Sequence, residues 1–128
     1  MRVADQDLRA ALQAVNADVI SIADARYPPL LKTIADPPPL LYVRGDPSML
    51  RRPQLAMVGA RRASAAGLKA AEKLAIAAVN AGLGVTSGLA LGIDGASHRG
   101  ALAAAGSTVA VLGCGIDNIY PARHARLG

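Results

Sequence analysis

The sequence has no Phe and no Trp, and only three Tyr, at positions 27, 42 and 120. A core must therefore be packed from Leu, Ile, Val, Met and Ala, and a surface built on rows of aromatic stacking platforms is excluded. There is one cysteine, Cys114, so no internal disulfide can form. Its two histidines, His98 and His124, stand at no recognisable ligand spacing with that cysteine, so no metal is expected, and no cofactor. No apolar run approaches the roughly 20 residues of a membrane helix. The start, MRVADQDLRAALQ, places Asp5 and Asp7 where a signal peptide would be apolar. These absences together point to a soluble cytoplasmic protein with no membrane partner.

What is present is apolar and basic. Hydrophobic residues make up 52% of 128 residues, which excludes disorder, although the abundance of Ala lowers the bulk available for burial. Lys and Arg number 14 against 9 Asp and Glu, a formal charge of +5, and the pI near 10.0 points to a polyanion partner.

Residues 5–16, DQDLRAALQAVN, put Leu8, Ala11, Leu12 and Val15 on one helical face, with Asp5 as the expected cap. Five prolines between Tyr27 and Pro39 forbid helix and favour extended chain. Leu40–Arg44 follows as a short edge strand, closed by a turn at Gly45-Asp46-Pro47. Residues 1–53 thus read as a helix plus an ordered proline-rich arm packed on the domain that follows.

From residue 54 to 128 the pattern becomes regular. Strands are expected at Leu55–Val58, Leu83–Thr86 and Thr108–Leu112. Ser64 caps a helix running to about Asn80 with Gly82 as its left-handed stop, and Asp94 caps a second helix ending near Ala105 with Gly106 as its stop. Short connections between alternating strands and helices require a parallel sheet with right-handed crossovers. The fold class is α/β: a Rossmann-like open parallel sheet, partial, with a three-stranded βαβαβ core, an N-terminal helix and a Pro-rich extended arm. The expectation is a truncated chain holding the first half of such a domain.

In an open parallel sheet, ligands bind beyond the carboxyl ends of the strands. Three glycine-containing loops lie there: GARRAS (59–64), SGLALGID (87–94) and GCGIDNIYP (113–121). Free amides at two helix starts, with Arg61 and Arg62, make a phosphate site. A dinucleotide is disfavoured, because Gly59 is followed by Ala-Arg-Arg and no second glycine admits a pyrophosphate. Asp94 and His98, four apart on a helix, can be an acid–base pair of an enzyme acting on a nucleotide or sugar phosphate. The plainer reading is a cap and a loop brace. Tyr120 is the one aromatic near the loops, and it reads as a packed turn residue before Pro121.

With these loops in view, the chain resembles the DNA-processing protein DprA (Smf) family. The likeness runs from YPPLL through DPPPLLYVRG, MVGARRAS and VTSGLALGIDGASHRGAL to STVAVLGCGIDNIYPARHARL, and SGLALGID followed by a helix bearing His98 is its most specific part. The resemblance implies an extended Rossmann-like domain that binds single-stranded DNA, forms a homodimer in the full-length protein, hands the strand to RecA recombinase during natural transformation, and is not an enzyme. By resemblance, Gly59 and Arg61 belong to the strand-binding loop, Ser87 and Gly88 to a second loop on the same pocket, and Asp94 and His98 to the residues shaping it. The nucleic-acid-binding set is thus Gly59, Ala60, Arg61, Arg62, Ser64, Ser87 and Gly88. Ala60 replaces the serine of the family's loop, and three further departures stand out: Ala105 and Ser107 stand in a usual Gly-Gly-Lys, His124 replaces an asparagine, and the second half of the Rossmann domain is not expected in this sequence. Such a site holds successive phosphates by side-chain charge without reading bases.

Overall fold

The computed structural model describes residues 2–118, 121–124 and 126–127, which leaves the reading of Tyr120 outside the described residues. The chain forms two compact units, Met1–Arg51 and Arg52–Gly128.

In the first unit, α1 spans Arg2–Ala14 and leads into β1 (Ala17–Ser21), which pairs antiparallel with β2 (Leu40–Arg44) from Ala17↔Arg44 to Ser21↔Leu40. Asp5 is not the cap expected from sequence. It lies within the first turn of α1, 3.7 Å from Arg9 one turn on. The helix stops early because Asn16 turns left-handed at φ 53, a conformation Asn tolerates better than most residues. β1 has no counterpart in the sequence reading: five residues, ADVIS, directly after a helix carry too short an alternation to stand out, and the pairing partner lies some 20 residues away. The proline-rich stretch is the hairpin's long connection. It is closed by the Ile22 amide donating to the Pro39 carbonyl at 3.0 Å and by the buried Tyr27, whose hydroxyl donates to the Pro38 carbonyl at 2.7 Å. Leu30 stays 82% exposed.

The second unit carries β3 (Gln54–Ala56), α2 (Ala65–Asn80), β4 (Gly84–Ser87), α3 (Ile93–Ala103) and β5 (Thr108–Ala110). The strands are parallel in the order β3-β4-β5. Sequential order with crossovers of one hand places both helices on one face. There they meet closely: a Cβ on Gly100 of α3 would lie 2.5 Å from the Glu72 carbonyl oxygen of α2, and the core between helices and sheet is Met57, Ala71, Ala75, Ala78, Val85, Ala96 and Ala101. Small side chains let the helix backbones approach, so a core without large aromatics can still close between them. With Leu55, Met57 and Val85 turned to the helices, the alternate residues face away, and Val58 there is 83% exposed.

Helix ends show where local chemistry decided the outcome. The Ser64 hydroxyl accepts from the Gly67 amide at 3.0 Å, capping α2. Gly82, at φ 86, closes it, with the Leu83 amide returning to the Ala78 carbonyl at 2.9 Å. At the end of α3 the expected stop at Gly106 is displaced by one residue: Ala105 takes the left-handed conformation at φ 55, and the Gly106 amide returns to the Ala101 carbonyl at 2.9 Å. Gly106 is glycine because Val79 leaves no room for more. The expected Asp94 cap is also corrected. Gly92, at φ 83, is the cap residue of α3, and Asp94 sits in its first turn.

Candidate nucleic-acid interface

At the carboxyl edge of the parallel sheet the loops after β3 and β4 are fastened together by main chain and short side chains. The buried Ser87 hydroxyl donates to the Met57 carbonyl at 2.6 Å, tying the end of β4 to the end of β3. The Ile93 amide, first of α3, donates to the Ala60 carbonyl at 3.2 Å. Gly92 makes that approach feasible: a Cβ there would lie 2.2 Å from the Ala60 oxygen and 2.5 Å from the Arg61 oxygen. A Cβ on Gly59 would likewise lie 2.6 Å from the Ile93 side chain.

The loop after β4 is braced from beneath. One Asp94 carboxylate oxygen accepts from the Gly88 amide at 3.2 Å and the Ala90 amide at 3.3 Å. Leu89 is buried and left-handed at φ 61, a strained state for a residue with a γ-branched side chain. Its carbonyl accepts from His124 Nδ1 at 2.7 Å, so that nitrogen carries the proton. His98 is 2% exposed. Its Nδ1 lies 2.6 Å from Thr108 Oγ1, whose own proton goes to the Val85 carbonyl at 2.9 Å. Nδ1 is therefore the donor, and Nε2 is buried without a partner among the described residues. Burial lowers the basicity of His98; the Asp94 charge opposes that shift and His124 adds to it.

These contacts sort the residues expected from sequence. Gly59, Ala60, Arg61, Arg62 and Ser64 lie together on an exposed loop ahead of α2. Neither arginine is in an ion pair with any described residue, and no described residue accepts from the Ala65 or Ala66 amide at the start of α2. That corner presents donors and charge to solvent, as an anion requires. Ser87 and Gly88 are adjacent to it, but the Ser87 hydroxyl and the Gly88 amide are already engaged internally. The first amide of α3 is engaged too, so the expectation of free amides at both helix starts holds for α2 alone. Asp94 and His98 do not form a pair: each is spent on a different brace. His124, Thr108 and Leu89 were missed as parts of this network. No local signal marks them, since His124 and Leu89 are 35 residues apart and meet only in the fold. In the third loop Cys114 is exposed. Among the described residues no group of three His, Cys, Asp or Glu could hold a metal ion, and no helix is long and apolar enough to cross a membrane.

Comparison with known proteins agrees with this architecture. The family model described as "DNA recombination-mediator protein A" matches residues 18–128. The DNA processing protein DprA of Streptococcus pneumoniae is 44% identical over 107 residues, covering 84% of this chain and 38% of the relative. Protein Smf of Escherichia coli is 40% identical over 116 residues, covering 91% of this chain and 31% of the relative. The crystal structure of the pneumococcal protein superposes with a TM-score of 0.81 at 40% identity, over 93% of this chain and 42% of that one. A structure of DprA from Helicobacter pylori, described for its single-stranded DNA binding mode, gives a TM-score of 0.75 at 27% identity, over 87% of this chain and 49% of that one. The fold is accordingly Rossmann-like, and the chain spans 31–49% of the length of these relatives. With the family model matching nearly all of its sequence, the chain belongs to the DNA recombination-mediator protein A family.

Proposed function

We propose that this chain binds single-stranded DNA by its phosphates at the loop 59–64, as a DprA-type protein that protects incoming DNA in natural transformation and passes it to RecA recombinase. One observation carries the reading. Arg61 and Arg62 stand exposed and unpaired among the described residues, beside the open amides of α2. Guanidinium forks match phosphate oxygens and need no base contact. The single-stranded DNA binding of the H. pylori relative supports the choice of ligand. Delivery to RecA and a homodimer rest on family resemblance. The protein acts by binding rather than catalysis: the alternative, an enzyme for a nucleotide or sugar phosphate, needs Asp94 and His98 as an acid–base pair, whereas Asp94 is engaged by the Gly88 and Ala90 amides and His98 by Thr108 of β5.

The test is fluorescence anisotropy of labelled oligo-dT across a salt series. Wild-type binding should weaken steeply with salt, and Arg61→Ala should lower affinity about tenfold at low salt and reduce the salt slope by about 0.7. A folded wild type that does not bind, or an Arg61→Ala variant of unchanged affinity, would sink the reading. Displacement of the oligonucleotide by AMP at comparable molar affinity would favour the enzyme.

A further inference from the structure

Beyond Arg61 and Arg62 the rim loops after β4 and β5 offer a polyanion no cation before Arg123, which stands exposed beside His124. The stretches SGLALGID (87–94) and VLGCGIDN (111–118) contain no Lys or Arg and two Asp. Positive charge continues in another direction, down α2. Ala71, Ala75 and Ala78 are the buried positions of that helix. At about 100° per residue, Lys69 and Lys73 lie on its opposite side, and both are exposed. They are one turn apart, about 6 Å along the axis, a separation comparable with that of successive phosphates in an extended strand. The one acid of α2, Glu72, is drawn to the flank by Arg99 at 3.5 Å, and neither lysine is in an ion pair among the described residues. Around the lysines the outer face carries Ala66, Ala70 and Ala77, short side chains that let a nucleic-acid backbone come close. From the start of α2 to Lys73 the strip is about 12 Å long.

We infer that a single strand held at Arg61 and Arg62 continues along the outer face of α2, with Lys69 and Lys73 holding its next phosphates. The inference rests on the reading of the loop 59–64 as a single-strand site and lengthens that site from a point into a track. Lysine suits this part of the path. A compact charge on a flexible stem follows a mobile backbone without fixing its register, whereas the arginine forks fix it at the rim.

Oligonucleotide length separates the track from bulk charge. With oligo-dT of about 20 nucleotides, Lys69→Ala/Lys73→Ala should bind about five- to tenfold more weakly at low salt, and its salt slope should fall by about 1.4, two phosphates at about 0.7 each for single strands. With an oligomer of about four nucleotides, which the rim alone can hold, the variant should match wild type. Lys69→Glu/Lys73→Glu should deepen the long-oligomer loss and leave the short one nearly unchanged. Arg9→Ala/Arg44→Ala removes equal charge from the first unit and serves as control; all variants are checked for an unchanged thermal unfolding midpoint. Unchanged long-oligomer affinity while Arg61→Ala binds weakly overturns the track and leaves the rim site standing. An equal loss with short and long oligomers, or an equal loss in the control, overturns it as unspecific charge. Preference for duplex over single strand along α2 also overturns it. A wild type that binds neither oligomer defeats the rim site and the track together.

Discussion

The two units differ most in how they handle charge. Residues 1–51 hold six Lys or Arg and six Asp or Glu, a net charge of zero; residues 52–128 hold eight and three, so the whole formal +5 belongs to the second unit. The first unit also pairs its charges. Arg26 binds both Asp24 and Asp18, and Arg9 meets Asp5. In the second unit Arg99 pairs with Glu72, while Arg61, Arg62, Lys69 and Lys73 have no ion-pair partner among the described residues. Exposed pairs add little stability, so the first unit's arrangement mainly cancels its field. An uncancelled field attracts a polyanion over distances that salt can screen. On the proposed function this charge contrast favours the second unit as the place for nucleic acid, and the salt-series experiments on Arg61 and the two lysines are its direct tests.

The sharpest structural contrast is between two glycines of positive φ. Gly45 in the first unit, at φ 110, has open space where a Cβ would go; Gly92 in the second, at φ 83, has the Ala60 oxygen 2.2 Å from that point. Gly45→Ala should cost about 1 kcal/mol, the conformational strain alone. Gly92→Ala adds a backbone clash that only a shift of the loop 59–62 can relieve, and should cost about 3 kcal/mol or more. Urea unfolding midpoints measure both. If the two losses were equal, the close approach between the loops would not contribute to stability. Gly92→Ala should also weaken oligo-dT binding, because the shift moves Arg61.

Acid should separate the units next. In the second, burial depresses the basicity of His98, while the unfolded chain protonates near the ordinary value of 6.5. The contribution of a neutral His98 is therefore fully present above about pH 6.5 and is lost as pH falls through the depressed folded value. In the first unit, the hydrogen bond from Arg26 pulls Asp24 down to about 2 from 3.8. Its contribution is present above about pH 4 and disappears as pH falls toward 2, and salt should weaken it because the carboxylate is exposed. Thermal midpoints between pH 7 and 5 should fall for wild type and fall less for His98→Gln. Equal slopes in the two proteins would remove His98 as the source.

How much of this was legible in the sequence followed the range of the interaction. The βαβαβ order, the Ser64 cap and the Gly82 stop were readable, because each is decided by residues within a turn or two of one another. The arginine loop was legible as charge beside a helix start. What the sequence hid was long-range: β1, which exists through its pairing with residues 40–44; Asp94, which serves the amides of Gly88 and Ala90 in place of its own helix; and His124, whose partner is 35 residues away. Ser87 and Gly88 illustrate the same limit. Sequence places them at the pocket, but only the fold reveals that the hydroxyl and the amide are already bonded.

The smallest effect concerns the two helix ends of the second unit. Each turns left-handed at one residue, Gly82 after α2 at φ 86 and Ala105 after α3 at φ 55. Glycine adopts this conformation freely, whereas alanine meets its own Cβ in steric conflict with the backbone. Part of that cost is offset because alanine also has less freedom to lose on folding. Ala105 is exposed, so Ala105→Gly removes little packing, and it should raise stability by about 0.5–1 kcal/mol, read as a higher urea midpoint. Gly82→Ala should lower it by a similar amount, since nothing lies within 4 Å of the added methyl. A loss in Ala105→Gly would mean that unfolded-state entropy outweighs the left-handed strain, and that alanine is tolerated there for what it does to the unfolded chain.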